Sequence, residues 1–429
     1  MKSEKRSNTL KLTREKRKQQ TCKVYELKVD KSKLSKHSLE HLKLLFLEGK
    51  WLYNSILSSE DIKTYDTKIK EITIKVQDHQ EQRKLKHISS QMKQTLRDRT
   101  FQNILNLSKA KKKGIKVGGL KFKSYVNCIP LNQNNVTYKI LKASNSVKLQ
   151  GLKKPIEVRG LQQIPKDSEF ANANLIEKGG DYFFKITAYV KKVKKKIPNK
   201  SIGIDFGCNT QLTLTNGIKL TYEFPVPKGI RKLDRKIMKK NRKRSNNKLK
   251  DQLKRRKLYV KLNNKKKDVK NKIVSTIVNN YKYVVFQDES IKAWHSGRHG
   301  KKIQNTSIGG IISELKKNSH TPILVDKFFP STKLCPICGT KNKLELGDRR
   351  YYCPNCTFEE DRDLKSAQCI ETEGLKTLLS TECRKIMPGD TEASALKIFS
   401  SLGNIVDVSF CRKNSTNEQL RKNQEAPDL

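Results

Sequence analysis

Acidic residues are what this chain is short of: 42 Asp and Glu stand against 93 Lys and Arg in 429 residues, a formal charge of +51. That imbalance exceeds what solubility requires, and such a field attracts and steers polyanions. Long hydrophobic runs are missing too, so no stretch would span a bilayer as a helix and no membrane partner is expected. No secretory signal opens the chain. Its absence argues against disulfides and for a bacterial cytoplasm, with the protein associated with the nucleoid when bound. No internal repeat is present. A His-x-His with a partnering Tyr, the mark of a strand-transferring transposase, is absent as well. The bland alternative is a histone-like polycation, and the folded-domain patterning of the chain weighs against it.

What is present begins with two Cys-x-x-Cys knuckles, Cys335/Cys338 and Cys353/Cys356. Pair, loop and pair at this spacing let four thiolates surround one zinc ion tetrahedrally. The other six cysteines, Cys22, Cys128, Cys208, Cys369, Cys383 and Cys411, have no such spacing and read as free thiols. Directly after the second knuckle comes an acidic turn, Glu359, Glu360, Asp361 and Asp363. A finger of residues 335–356 therefore delivers carboxylates somewhere, and their partners lie upstream.

In chain order, residues 1–20 are basic and nearly without apolar content, a mobile arm. Residues 22–29 alternate as a strand does. Residues 36–57 carry Leu39, Leu42, Leu45, Phe46 and Leu47 at helical spacing. A second helix is expected over 86–110, burying Met92, Leu96, Phe101, Ile104 and Leu105. From 118 to 190 short alternating runs (LKFKSYV, VTYKIL, SVKLQG, IEVRG, DYFFKITAYV) predict a small OB-like β-barrel. That barrel, residues 21–35 and 111–190, is interrupted by a helical insert at 36–110. Lys121, Phe122, Lys123 and Tyr125 interleave cations with aromatics, which suits backbone contact and base stacking; an ordinary barrel with a solvated basic face reads the same. Residues 191–200 form a basic linker.

Beyond the linker, Ile204-Asp205-Phe206 sets one carboxylate inside an apolar strand, a costly placement unless it meets a cation or metal. Asn216-Gly217 between alternating runs signals a hairpin, so strands are expected at 201–206, 210–215 and 218–223. Residues 229–272 are Lys/Arg-dense and predict a helical pair lying along a nucleic-acid duplex, with Lys239, Lys240, Arg242 and Arg244 as contacts. A strand ending in Gln287, Asp288 and Glu289 follows, then a helix at 306–317, a strand at 321–329, and a closing helix from Asp363. The tail from 389 to 429 reads as weakly ordered. Three strands, helix, strand, helix, strand, helix is the element order of the ribonuclease H-like fold, here residues 201–334 and 357–388. In that fold Asp205, Glu289 and Asp363 would converge, and three carboxylates meeting at one point need divalent metal between them.

GIDFG, FQDESIKAW, the double knuckle and DRDLKSA, in this order, resemble the TnpB family of transposon-encoded RNA-guided DNA endonucleases, related to compact type V CRISPR effectors. The resemblance implies an α/β RuvC-like nuclease with an inserted zinc ribbon, and an N-terminal wedge-like barrel with a helical recognition insert. It implies Asp205, Glu289 and Asp363 as catalytic magnesium ligands and Cys335, Cys338, Cys353 and Cys356 as zinc ligands. A guide RNA and a double-stranded DNA target are implied as partners, with a monomer expected rather than a dimer. Two positions depart from the family pattern. The acid after the fourth strand reads as Glu289, but the other register puts Gln287 there and leaves the site incomplete. Leu364-Lys365 stands where Asn is common, with Asp361 the fallback for Asp363 and Glu360 a further candidate ligand. Gln287 motivates a second reading, a nuclease-inactive guided DNA-binding protein.

Overall fold

The computed structural model describes all residues except 1–10, 77–78, 194–195, 240–244, 298–299, 346, 377–391, 404–405 and 412–429. The chain divides into two units, residues 1–194 with 252–257, and residues 195–251 with 258–429.

The first unit opens with a helix α1 over residues 11–18, where a mobile arm was expected. Its Arg17 bonds to Glu169 and lies 3.5 Å over the Tyr189 ring, which ties the helix down. Strand β1 (Gln20–Val29) leads to α2 (Lys36–Ser58), which Ser35 caps by accepting from the Ser38 N–H. The insert is not purely helical. A hairpin β2 (Glu71–Val76) and β3 (His79–Lys84) stands between α2 and α3 (Ser90–Lys112). The second strand, HQEQRK, has no apolar residue, so no alternation announces it. On α3, Met92 and Leu96 are buried as expected, but Ile104 and Leu105 are exposed. Strands β4 (Cys128–Leu131), β5 (Tyr138–Leu141), β6 (Ser146–Leu149), β7 (Ile156–Arg159), β8 (Glu169–Lys178) and β9 (Asp181–Lys191) complete the sheet. It is a nearly closed antiparallel barrel of order β4-β8-β9-β1-β7-β6-β5. LKFKSYV, expected as a strand, is irregular, and β8 was not anticipated because EFANANLIEK lacks a clean alternation. Barrel and insert share one core, in which Leu27, Phe184 and Ile186 pack with Leu42, Leu45 and Met92.

The second unit is a six-stranded sheet with helices on both faces. Its first three strands, β10 (Ser201–Phe206), β11 (Leu212–Leu214) and β12 (Ile218–Thr221), are antiparallel, with the predicted turn at Gly217 in a left-handed conformation, φ 90°. Helices α4 (Lys228–Met238) and α5 (Asn246–Asn280) follow, then β13 (Tyr283–Gln287), α6 (Ile291–Ser296), α7 (Gly300–Thr306), α8 (Ile308–Asn318) and β14 (Thr321–Val325). Both β13 and β14 run parallel to β10, giving the order β14-β13-β10-β11-β12. A two-stranded ribbon, β15 (Arg350–Tyr352) and β16 (Glu359–Asp361), precedes α9 (Arg362–Lys376). The tail expected to be weakly ordered instead supplies α10 (Glu392–Phe399) and β17 (Asp407–Phe410). The latter pairs antiparallel with β12 and extends the sheet, and Ala395, Phe399, Leu402 and Val406 join its core.

Alternation along the strands divides the two faces. Ile202, Ile204, Val284 and Phe286 pack with residues of α5 and α8. Tyr283 and Val285 point the other way and pack with Ile370 of α9.

Candidate functional site

The face covered by α9 carries the candidate acids, and glycine makes their approach possible. A Cβ at Gly203 would lie 2.5 Å from the Ala367 carbonyl oxygen and 2.7 Å from the Glu371 Cβ. The bare backbone there is what lets α9 lie directly on β10. Asp205 projects from the same face two residues further on, and Asp363 sits one helical turn before Ala367. One close crossing thus brings together two carboxylates that lie far apart in sequence.

The electrostatics record the convergence. The Asp205 carboxyl is pushed up to about 8, first by burial, then by the Asp363 carboxylate and then by Glu289. Arg362 and Lys365 oppose that rise only in part. Glu289 is also raised, by burial and by neighbouring Asp288, against a hydrogen bond from Trp294 that steadies its charged form. Crowded carboxylates hold a proton in this way unless a cation neutralises them, which is the condition a divalent-metal site starts from.

The two candidates for the third acid position differ in where they stand: Gln287 is the last residue of β13 and Glu289 lies beyond it. The strand ends at Gln287, and the Asp288 N–H donates to the Val325 carbonyl. The Glu289 N–H then donates back to the Gln287 carbonyl, so the chain turns and strand alternation no longer applies. Gln287 is buried, its amide nitrogen within hydrogen-bonding distance of the carbonyls of Asp326 (3.0 Å), Lys327 (3.2 Å) and Phe329 (2.8 Å). Asp288 pairs with Lys316 instead.

The fallback acids are engaged elsewhere. Asp361 caps α9, one oxygen accepting from the N–H groups of Asp363 and Leu364 while the other pairs with Lys219 at 2.7 Å. Glu360 is buried and accepts from the Gln368 amide at 3.1 Å. Arg362, Trp294 and Lys365 touch or face the acids and were not singled out from sequence. Lys365, fully buried, donates to the carbonyls of Ser331 (2.9 Å), Thr332 (2.6 Å) and Leu334 (3.1 Å). Burial holds its ammonium down to about 8. The signal was its place in DRDLKSA, a lysine between the apolar positions Leu364 and Ala367.

The four knuckle sulfurs lie within 4.8 Å of one another. Cys335 and Cys356 are 3.5 Å apart, as are Cys338 and Cys353, close to the edge of roughly 3.8 Å that four thiolates around zinc would have. Each knuckle closes with a left-handed residue after its second cysteine, Gly339 (φ 73°) and Thr357 (φ 55°). The Thr340 hydroxyl draws the Cys338 thiol down to about 5, ready to ligate as thiolate. These residues fit zinc. Among the described residues this is the one group of three or more ligands so closely gathered.

Of the expected nucleic-acid contacts, Lys121, Phe122, Lys123 and Tyr125 are all exposed, in an irregular segment rather than a strand. Asn54 holds that segment, donating to the Lys123 carbonyl at 2.9 Å and accepting from its N–H at 2.8 Å. Phe122, 66% exposed, lines a groove of about 910 Å³ with Lys50, Trp51, Asn54, Lys75 and Gln80. Lys239 is exposed at the end of α4, and Lys240, Arg242 and Arg244 lie outside the described residues. No described helix is long and apolar enough to cross a membrane.

Comparison with known proteins falls on the same segments. Residues 184–292 match a family model described as "Probable transposase", and residues 311–370 one described as "Cas12f1-like, TNB domain". A curated protein of Streptomyces pristinaespiralis, described as "Putative RNA-guided DNA endonuclease", is 25% identical over 235 residues. The match covers 52% of this chain and 57% of that relative, so less than two thirds of the relative's length is spanned. Among solved structures, a Cas12f1–sgRNA–target DNA complex matches at TM-score 0.38 and 16% identity, over 65% of this chain and 70% of that one. The mini-RNA-guided endonuclease CRISPR-Cas_phi3 matches at TM-score 0.39 and 10% identity, over 82% and 92%. Likeness at those scores carries no argument about function. The two family matches contain GIDFG, the double knuckle and DRDLKSA and most of FQDESIKAW, and the resemblance of this chain to the TnpB family is carried by those matches and by the curated relative.

Proposed function

We propose that this protein is an RNA-guided DNA endonuclease of transposon origin, hydrolysing phosphodiester bonds in a RuvC-like, ribonuclease H-like domain. The observation that carries the proposal is the close crossing of α9 over β10 at Gly203, which puts Asp205 and Asp363 on one face; the Asp205 carboxyl is raised there first by burial and then by Asp363 and Glu289. Three carboxylates on one face would suit a pair of magnesium ions, which would activate water and stabilise the leaving oxygen. Asp205 and Asp363, on the strand and helix that cross at Gly203, would hold both ions, and Glu289 would complete the shell with the Trp294 indole fixing its orientation. Arg362, 3.5 Å from Asp363, would offset part of the negative charge of the acids. The net charge of +51 supplies the attraction for guide RNA and double-stranded target. The groove at Phe122 offers cations and stackable rings for nucleic acid. Four thiolates at the knuckles would hold zinc as a structural staple.

The test is cleavage by Asp205→Ala and Asp363→Ala proteins loaded with RNA that copurifies with the wild type. Both changes should abolish cutting and leave guide-RNA binding intact; unimpaired cutting by both would rule the site out. Glu289→Ala checks the third acid separately. The nuclease-inactive reading keeps Gln287 at the acid position, and cutting that survives in the wild type but is lost in Glu289→Ala would count against it. Whether the chain serves a transposon or a CRISPR locus is read from the neighbouring DNA.

A further inference from the structure

Two buried polar side chains grip the same short segment from opposite ends of the candidate site. Residues 326–334 form the stem that leads from β14 into the first knuckle. Gln287, two residues before Glu289, reaches the carbonyls of Asp326, Lys327 and Phe329. Lys365, two residues after Asp363, spends all three ammonium protons on the carbonyls of Ser331, Thr332 and Leu334. Ser331 joins the two, its hydroxyl 3.4 Å from the Gln287 side-chain amide oxygen and its own backbone carbonyl bound to Lys365. Beyond the stem, the Lys365 ammonium lies 4.0 Å from the Tyr351 ring, which packs with Cys335, Cys353 and Phe358 in the ribbon core. Six of the nine backbone carbonyls of the stem thus accept from, or lie in hydrogen-bond reach of, side chains next to the acids.

We propose that Gln287 and Lys365 are positioning residues that clamp the ribbon stem to the two acid-bearing elements, so that metal retention in the ribbon and the placement of Glu289 and Asp363 are coupled. The part concerning the acids rests on the proposed catalytic role of those acids; the clamp does not. Lys365 stands where the sequence departs from the pattern it resembles, and the clamp gives that lysine a role.

The experiment uses the full chain carrying Lys365→Met, which keeps the stem length but donates nothing, or the near-isosteric Gln287→Glu. Three quantities are read: zinc transfer to a chromophoric chelator, hydrogen exchange over 326–334, and Mn2+ binding from the spin resonance of the free ion. Both variants should lose zinc about 10–100-fold faster, as expected for removal of a ligand's supporting shell. They should exchange faster across the stem and bind Mn2+ about 2–30-fold more weakly. Zinc release and stem exchange at wild-type rates overturn the clamp. Faster zinc release with unchanged Mn2+ binding overturns the coupling. If Lys365→Met also loses protection across β10–β12 it has unfolded, and Gln287→Glu decides, wild-type zinc release there counting against the clamp. Wild-type protein that binds no Mn2+ marks failure of the catalytic reading, a result separate from the zinc and exchange arms.

Discussion

The raised Asp205 carboxyl makes a stability prediction that needs no substrate. Its unfolded value is near 3.8 and its folded value about 8. Below that window both states hold the proton. Within it the folded chain holds a proton that the unfolded chain has released, so stability falls as pH rises, by at most about 1.4 kcal/mol per unit for one independent group. Asp205 keeps some contact with solvent and is coupled to two other acids, so about 1–3 kcal/mol over the whole window is the reasonable expectation. Asp205→Asn is near-isosteric and removes the titration. In magnesium-free buffer, wild type and variant should therefore melt together near about pH 4 and diverge as pH rises, the variant being more stable at about pH 8. For a unit of this size the gap corresponds to roughly 2–12 °C by scanning calorimetry. Millimolar magnesium at the higher pH should raise the wild-type melting temperature and barely move the variant, because the cation replaces the proton. Parallel melting curves at every pH, or a variant less stable at high pH, would show that the acids do not crowd Asp205.

Two further changes probe the geometry. Gly203→Ala places a methyl where Ala367 and Glu371 already stand; overpacking should cost about 1–3 kcal/mol. The displaced helix should slow single-turnover cleavage by about a hundredfold, and wild-type melting together with wild-type cleavage would contradict the close crossing. Phe122→Ala should weaken nucleic-acid binding by about 1–3 kcal/mol if a base stacks there, measured by filter binding with and without guide RNA, whereas unchanged affinity would leave the groove without that role.

What could be read from sequence alone was whatever local spacing and charge encode. The two knuckles declare a tetrahedral thiolate site because all four ligands lie within 22 residues. The hairpin at Asn216-Gly217 and the apolar strands of the second unit follow from turn chemistry and alternation, and the excess of lysine sets the field that the proposed polyanionic partner would meet. Elements without a local pattern stayed hidden: β3 has no apolar residue, β8 carries two asparagines, and β17 looks like part of a polar tail until it finds the edge of β12. The structure also supplied the surroundings of single residues in the candidate site. Period-two alternation puts Gln287 and Glu289 on one face, and only the turn after β13, closed by bonds to β14 and to Gln287 itself, separates them. Lys365 reads as one more cation among 93 until three carbonyls from 31–34 residues away surround it. Spacing along the chain specifies which groups are available, while burial and long-range contact determine which of them can stay charged, and therefore what each one does.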